Sequence, residues 1–120
     1  MADILASLDE LMEIRGTVGA AIVDYDTGMT LGTKGGGDID MELAAAGKTE
    51  VVRSERTMNK NLEGDEAIND ILITLDDHYH LIKIFRTGDI FTFLIMDSEK
   101  ANLALARRLM DGIDSRLEIQ

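Results

Sequence analysis

The sequence predicts an α/β (α+β) fold, a three-layer α/β/α sandwich on one five-stranded antiparallel sheet. Three observations predict it. Apolar residues recur at helical spacing in three stretches and as short β-rich runs in five others, in the order α-β-β-α-β-β-β-α. Breaks inside each strand group are short enough for hairpins, so paired strands run antiparallel, and a long helix separates the two groups. The run over residues 90–96 shows little in/out alternation, as expected of a strand covered on both faces.

The elements follow in order. Residues 3–15 place Ile4, Leu5, Leu8, Leu11 and Met12 on one side of a helix and Asp9, Glu10 and Glu13 on the other, with Gly16 at the C-cap position. Residues 17–25 read as a strand, Asp26-Thr27-Gly28 as a turn and residues 29–33 as the returning strand. Lys34-Gly35-Gly36-Gly37 reads as a loop. Asp38 or Asp40 then caps a long helix that Leu62-Glu63-Gly64-Asp65 closes. Three strands follow at 68–75, 79–85 and 90–96, broken by Asp76-Asp77-His78 and Arg86-Thr87-Gly88-Asp89. Asp97 or Ser98 caps a final helix, 99–117, with Ala101, Leu105, Leu109, Ile113 and Leu117 on one side.

Composition narrows the function. A length of 120 residues suits one domain, 1–120. The absence of cysteine excludes disulfides, thiol catalysis and Cys-based metal centres. No apolar run approaches the ~18 residues that span a bilayer, and the first residues lack the basic opening of a signal peptide. The expected location is the cytoplasm, with any membrane recruitment coming through a partner. Twelve basic against 23 acidic side chains give a net charge of −11. The acidity is shared by both halves, −5 over residues 1–60 and −6 over 61–120. Such a field repels phosphate and argues against nucleic acid.

Motifs of chemistry are weak. Gly47-Lys48-Thr49 copies the end of a P-loop, but Glu42 stands where the first glycine belongs, and the segment falls inside a helix. Asp26-Thr27-Gly28 copies the triplet of dimeric aspartic peptidases, whose folds are nearly all strand. A tight turn uses the same residues for ordinary reasons. His78 and His80 are the only histidines and imply no third metal ligand. No catalytic residue, metal or cofactor is expected from these motifs.

The long helix is the informative element. At about 100° per residue, Thr49, Arg53, Arg56 and Lys60 fall in one narrow arc, within a stretch (48–60) of net +2. This arc reads either as a solvated face that is basic or, more sharply, as a partner-binding face for an acidic surface, by electrostatic complementarity. Ala44, Val51, Met58 and Leu62 fall on a different side. A third side holds Met41, Ala45, Lys48, Val52, Glu55 and Asn59, small enough for a second helix to approach. Two copies crossing antiparallel near residues 51–52 would set Lys48 against Glu55, an isologous dimer contact.

The opening helix, Gly16-Thr17-Val18-Gly19-Ala20-Ala21-Ile22-Val23-Asp24, the turn ending at Gly28, the long helix and the Ile-Phe-Thr-Phe-Leu-Ile-Met strand before the last helix together resemble the roadblock/dynein light-chain family. The bacterial branch, with MglB-like regulators and actinomycete conservon proteins, is the most similar. The resemblance covers about residues 4–117 and implies a roadblock-like (profilin-like) topology. It implies a non-catalytic homodimeric regulator or scaffold in which the long helices pack across the two-fold axis and third strands join two sheets. The dimer interface would then include Ile68, Ile71 and Ile73. It also implies a Ras-like small GTPase as partner, met by a face including Arg53, Arg56 and Lys60, and a sensor histidine kinase in the same signalling system. The alternative is a small-molecule sensor module with a profilin/PAS-like sheet, which would need a deep apolar pocket.

Overall fold

The computed structural model of the chain describes residues 3–85 and 89–117. Its elements are α1 (Ile4–Glu13), β1 (Thr17–Asp24), β2 (Met29–Gly35), α2 (Met41–Asn61), β3 (Asp70–Thr74), β4 (His78–Ile84), β5 (Ile90–Asp97) and α3 (Leu103–Arg116). The order is the predicted one. Of the expected Arg86–Asp89 connection, residues 86–88 lie outside the described residues.

The sheet runs β2-β1-β5-β4-β3, with every neighbouring pair antiparallel. The central position of β5 explains its sequence. All of its residues but Asp97 are buried, because each face lies under a helical layer. Leu94 and Met96 enter the core with Leu8 and Leu11 of α1 and Ala106, Met110 and Ile113 of α3. Phe91, Phe93 and Ile95 enter the opposite core with Met41, Ala45 and Val52 of α2. Burying each such Phe or Leu is worth about 2–3 kcal/mol relative to exposure.

Each helix starts on a side-chain cap. The carboxylate of Asp3 accepts from the Ala6 N–H at 2.7 Å, and that of Asp40 from the Leu43 N–H at 3.1 Å. The third cap differs from expectation. Asn102, not Asp97 or Ser98, accepts from the Leu105 N–H at 3.1 Å. The Asp97 carbonyl is instead taken by the Ala101 N–H in a turn, so residues 99–102 stay outside the helix. The inner face of α3 is also displaced from the predicted Leu105–Leu109 line, onto Ala106, Met110 and Ile113. Ala106 is small enough for the helix to close onto the sheet, which leaves Leu109 40% exposed.

The glycine segment is partly strand, since β2 continues through Lys34 to Gly35. Lys34 forms an ion pair with Asp9 of α1. Gly36 has φ +99° and donates its N–H to the Val18 carbonyl at 2.8 Å. A Cβ there would lie 2.6 Å from Met41 Cγ and 2.9 Å from the Ile39 carbonyl. The bare backbone thus lets Met41 seat the first turn of α2 against the sheet. Gly36→Ala should destabilise the fold by about 2–3 kcal/mol, from left-handed strain plus the clash. A urea midpoint equal to that of the parent chain would show that the loop adapts freely.

Candidate interaction surface

Helix α2 meets β1 and β2, so only part of its sheet face lies beneath it. Met41, Ala45 and Val52 point inward and are buried. This corrects the expected dimer face. Three of its members belong to the chain's own core, because small and apolar residues that would admit a second helix admit the sheet equally well. Thr49, expected to contact a partner, is buried too, and its Oγ1 donates to the Ala45 carbonyl at 3.1 Å. Asn59 clips the following loop, donating from Nδ2 to the Glu66 carbonyl at 2.9 Å.

The two arginines of the basic stripe are also engaged within the chain. Arg53 Nε donates to the Tyr25 carbonyl at 2.7 Å and its Nη2 to the Asp26 carbonyl at 2.9 Å. Arg56 lies over the Tyr25 ring, 5.1 Å from its centroid. Burial pushes the Tyr25 phenol upward, Arg56 opposes the shift and Asp89 adds to it. The Asp26-Thr27-Gly28 turn is therefore held from outside by α2 and from inside by Asp24, whose carboxylate accepts from the Asp26 and Thr27 N–H groups. Of the four stripe residues, Lys60 makes no ion pair among the described residues, and it is exposed.

The flank of α2 beside this inward face carries Ala44, Lys48, Val51 and Glu55, all half-buried. Lys48 Nζ sits 5.5 Å above the Phe93 ring of β5. His80 meets the same ring edge-on at 5.6 Å, and its Nδ1 is buried without a hydrogen bond. His80 pairs in register with Ile73, and Ile82 with Ile71. Ile71, Ile73 and His80 therefore share the α2 side of the sheet, and all three are half-buried. Together they form an incompletely covered apolar strip along the β3 edge, with one cation and one imidazole at its inner border. Neither Lys48 nor Glu55 has a salt-bridge partner among the described residues.

The outward face of α2 holds Leu43 (72% exposed), Met58 (49%) and Leu62 (75%), with Gly47 and Ser54 between them. Met58 and Leu62 were expected on one side with Ala44 and Val51; the structure parts them, with Ala44 and Val51 half-buried on the flank and Met58 and Leu62 outward beside Leu43.

The chemical motifs resolve structurally. Gly47-Lys48-Thr49 lies inside α2, where its N–H groups serve the helix. Asp26-Thr27-Gly28 is a turn, with Gly28 at φ +80°. No group of three His, Asp or Glu side chains able to hold a metal occurs among the described residues. Among the described residues no helix is long and apolar enough to cross a membrane. A cleft of about 480 Å³ lies between the end of α2 and β4, lined by exposed Arg56, Lys60 and Asp65 as well as Ile68 and Phe85. It is a surface groove, unlike the deep apolar pocket a sensor would need.

Burial first, then the charges of Lys48 and His78, bring His80 down to about 4. Below pH 6.5 the unfolded chain takes up a proton that the folded chain refuses, so this group costs stability as pH falls from about 6.5 to 4. Lys48→Met should raise the His80 midpoint while leaving it below 6.5, since burial is the larger cause. A histidine NMR titration reads this shift. An unmoved midpoint would mean that the ammonium charge does not reach the ring.

No protein-family model matches the sequence, and no curated protein does. Solved structures match the fold closely. MglB of Myxococcus xanthus superposes with a TM-score of 0.79 at 17% identity, over 92% of this chain and 87% of that one. The roadblock/LC7 domain from Streptomyces avermitilis gives 0.81 at 13%, over 95% and 93%. An MglB in a tetrameric arrangement gives 0.78 at 14%, over 92% and 81%. At these identities the likeness establishes architecture: this chain has the roadblock fold.

Proposed function

We propose that this chain is a non-catalytic regulator of the roadblock family that acts as a homodimer and binds a Ras-like small GTPase. The observation that carries the proposal is the half-covered strip of Ile71, Ile73 and His80 beside the Lys48–Glu55 flank, in a chain with the fold of MglB. An apolar strip left partly bare at a sheet edge costs about 25 cal/mol for each Å² kept in water. A second copy of α2 laid antiparallel along it removes that cost. In that arrangement Val51 lies near the two-fold axis, and Lys48 of each copy faces Glu55 of the other. Ile68, Ile71 and Ile73 remain at the contact. Ala44 and Val51 take the places first given to Met41, Ala45 and Val52.

The GTPase face follows from what that dimer leaves outside. Two outward lines of Leu43, Gly47, Ser54, Met58 and Leu62 run side by side as one apolar ridge, with Lys60 at its margin. Recognition is then carried chiefly by apolar burial, with charge in a secondary role, because Arg53 and Arg56 hold the β1–β2 turn.

Two experiments separate the parts. Sedimentation should show a dimer that Ile73→Asp converts to monomer with an unchanged circular dichroism spectrum. Lys48→Glu should weaken the dimer by about tenfold, and added Glu55→Lys should restore it. A monomer at high concentration in the parent chain would sink the dimer. For the partner, Ras-like GTPases purified from the same genome and loaded with a non-hydrolysable GTP analogue should bind the dimer. Leu43→Glu with Met58→Glu should weaken binding about tenfold or more without changing the dimer, a loss of at least about 1.4 kcal/mol. Binding by none of these GTPases would remove the proposed function and leave a dimerising module.

A further inference from the structure

A second polar cluster lies on the other side of the sheet, away from the proposed dimer and partner faces. Asp114 occupies the last turn of α3 and turns toward β5, where Thr92 is fully buried. Its Oδ1 lies 3.4 Å from Thr92 Oγ1, a long contact for a hydroxyl and a carboxylate. The neighbouring charges are committed elsewhere. Lys83 of β4 reaches Asp111 of α3 at 3.0 Å and Asp70 of β3 at 3.8 Å. Arg107 of α3 reaches Asp70 at 3.1 Å. Asp114 has no salt bridge among the described residues.

Three features of this geometry oppose a negative charge on Asp114. It lies at the carboxyl end of a helix, where the dipole is negative. Asp111 sits three residues earlier, on the neighbouring turn, and repels it. The surrounding sheet face removes it from water, although Asp114 also borders a cleft of about 570 Å³ with Lys83, Ile84 and Phe85. The same turns bring Met110 and Ile113 into the core and pack Leu117 against it.

We propose that Asp114 is a proton-operated latch on the carboxyl end of α3: protonated, it lets the last turns seat on β5, and ionised, it loosens them. Burial first, and Asp111 second, push its carboxyl up to about 7, against the smaller pulls of Thr92 and Lys83. In the unfolded or released segment the same group titrates near 3.8. The released form therefore ionises first as pH rises. The latch is strongest below about pH 4, weakens as pH climbs to about 7 and changes little above that. Loosening widens the cleft and uncovers Met110, Ile113 and Leu117.

The test compares the parent chain with Asp114→Asn, an isosteric side chain that cannot ionise, at one protein concentration. Urea unfolding at pH 5 and pH 7 gives the ratio of their unfolding constants. That ratio should grow by roughly fiftyfold between the two, in favour of the variant, by proton linkage. Titrations shared by both proteins, including that of His80, cancel in the ratio. Hydrogen exchange should place the extra opening of the parent chain in residues 110–117. A ratio that stays constant with pH would overturn the latch. So would a pH dependence abolished by Asp111→Asn but kept in Asp114→Asn, or extra exchange spread evenly over all three helices.

Discussion

One helix is too narrow to cover five strands, and the rest of the molecule is arranged around that mismatch. Strands stand about 4.8 Å apart, so the sheet is roughly 20 Å wide, whereas a helix with its side chains is about 10–12 Å across. On one face α1 and α3 lie together, and their combined width suits the sheet. On the other face α2 lies alone over β1 and β2, and the strip along β3 and β4 stays partly open. Ile71, Ile73 and His80 stand half-exposed on the same sheet whose central residues are fully buried. Covering this strip requires either another element of the chain or another molecule.

The placement of α2 toward the β2 edge has local causes. Gly19 and Gly36 leave room for Met41, which fixes the start of the helix. Two residues beyond the midpoint, Arg53 grips the carbonyls of Tyr25 and Asp26, which fixes the helix against the β1–β2 turn. With its start and its middle tied to the first hairpin, α2 is held away from β3. The half-open strip is thus a consequence of specific bonds made elsewhere, and the cation at its border follows from the same placement. Lys48 lies over Phe93 instead of in water, and burial pulls its ammonium below the ordinary lysine range.

Much of this was legible in the sequence because it depends on local periodicity. The order of eight elements, the two-sided burial of β5 and a cap at Asp40 all follow from patterns within a few residues of one another. The orientation of α2 was not legible. Met41, Ala45 and Val52 form one apolar line, and Leu43, Met58 and Leu62 form another. Periodicity shows two lines without showing which faces the sheet. The bonds that decide between them, from Gly36 and Arg53, join residues far apart in the chain. The start of α3 was missed for a related reason. Asp97 caps a turn with the same chemistry that caps a helix, and only the turn at Ala101 delays the helix to Leu103.

Charge tells a parallel story. In a chain with 12 cations against 23 acidic groups, the positions of the cations are informative. Arg116 joins α3 to Glu10 of α1, Lys34 joins β2 to Asp9, and Lys83 and Arg107 hold Asp70 at the β3 edge. Arg53 and Arg56 secure a turn flanked by Asp24, Asp26 and Asp89. Six of the twelve positive groups therefore act as staples between neighbouring elements, and the arginines of the positive stretch of α2 are among them. A basic arc read from a helical wheel describes where charges lie around an axis, and carries no information about what already holds them. What α2 offers outward after its arginines are engaged is a line of exposed apolar and small side chains. Contacts of that kind depend on shape and buried area, and salt screens them far less than an exposed charged stripe.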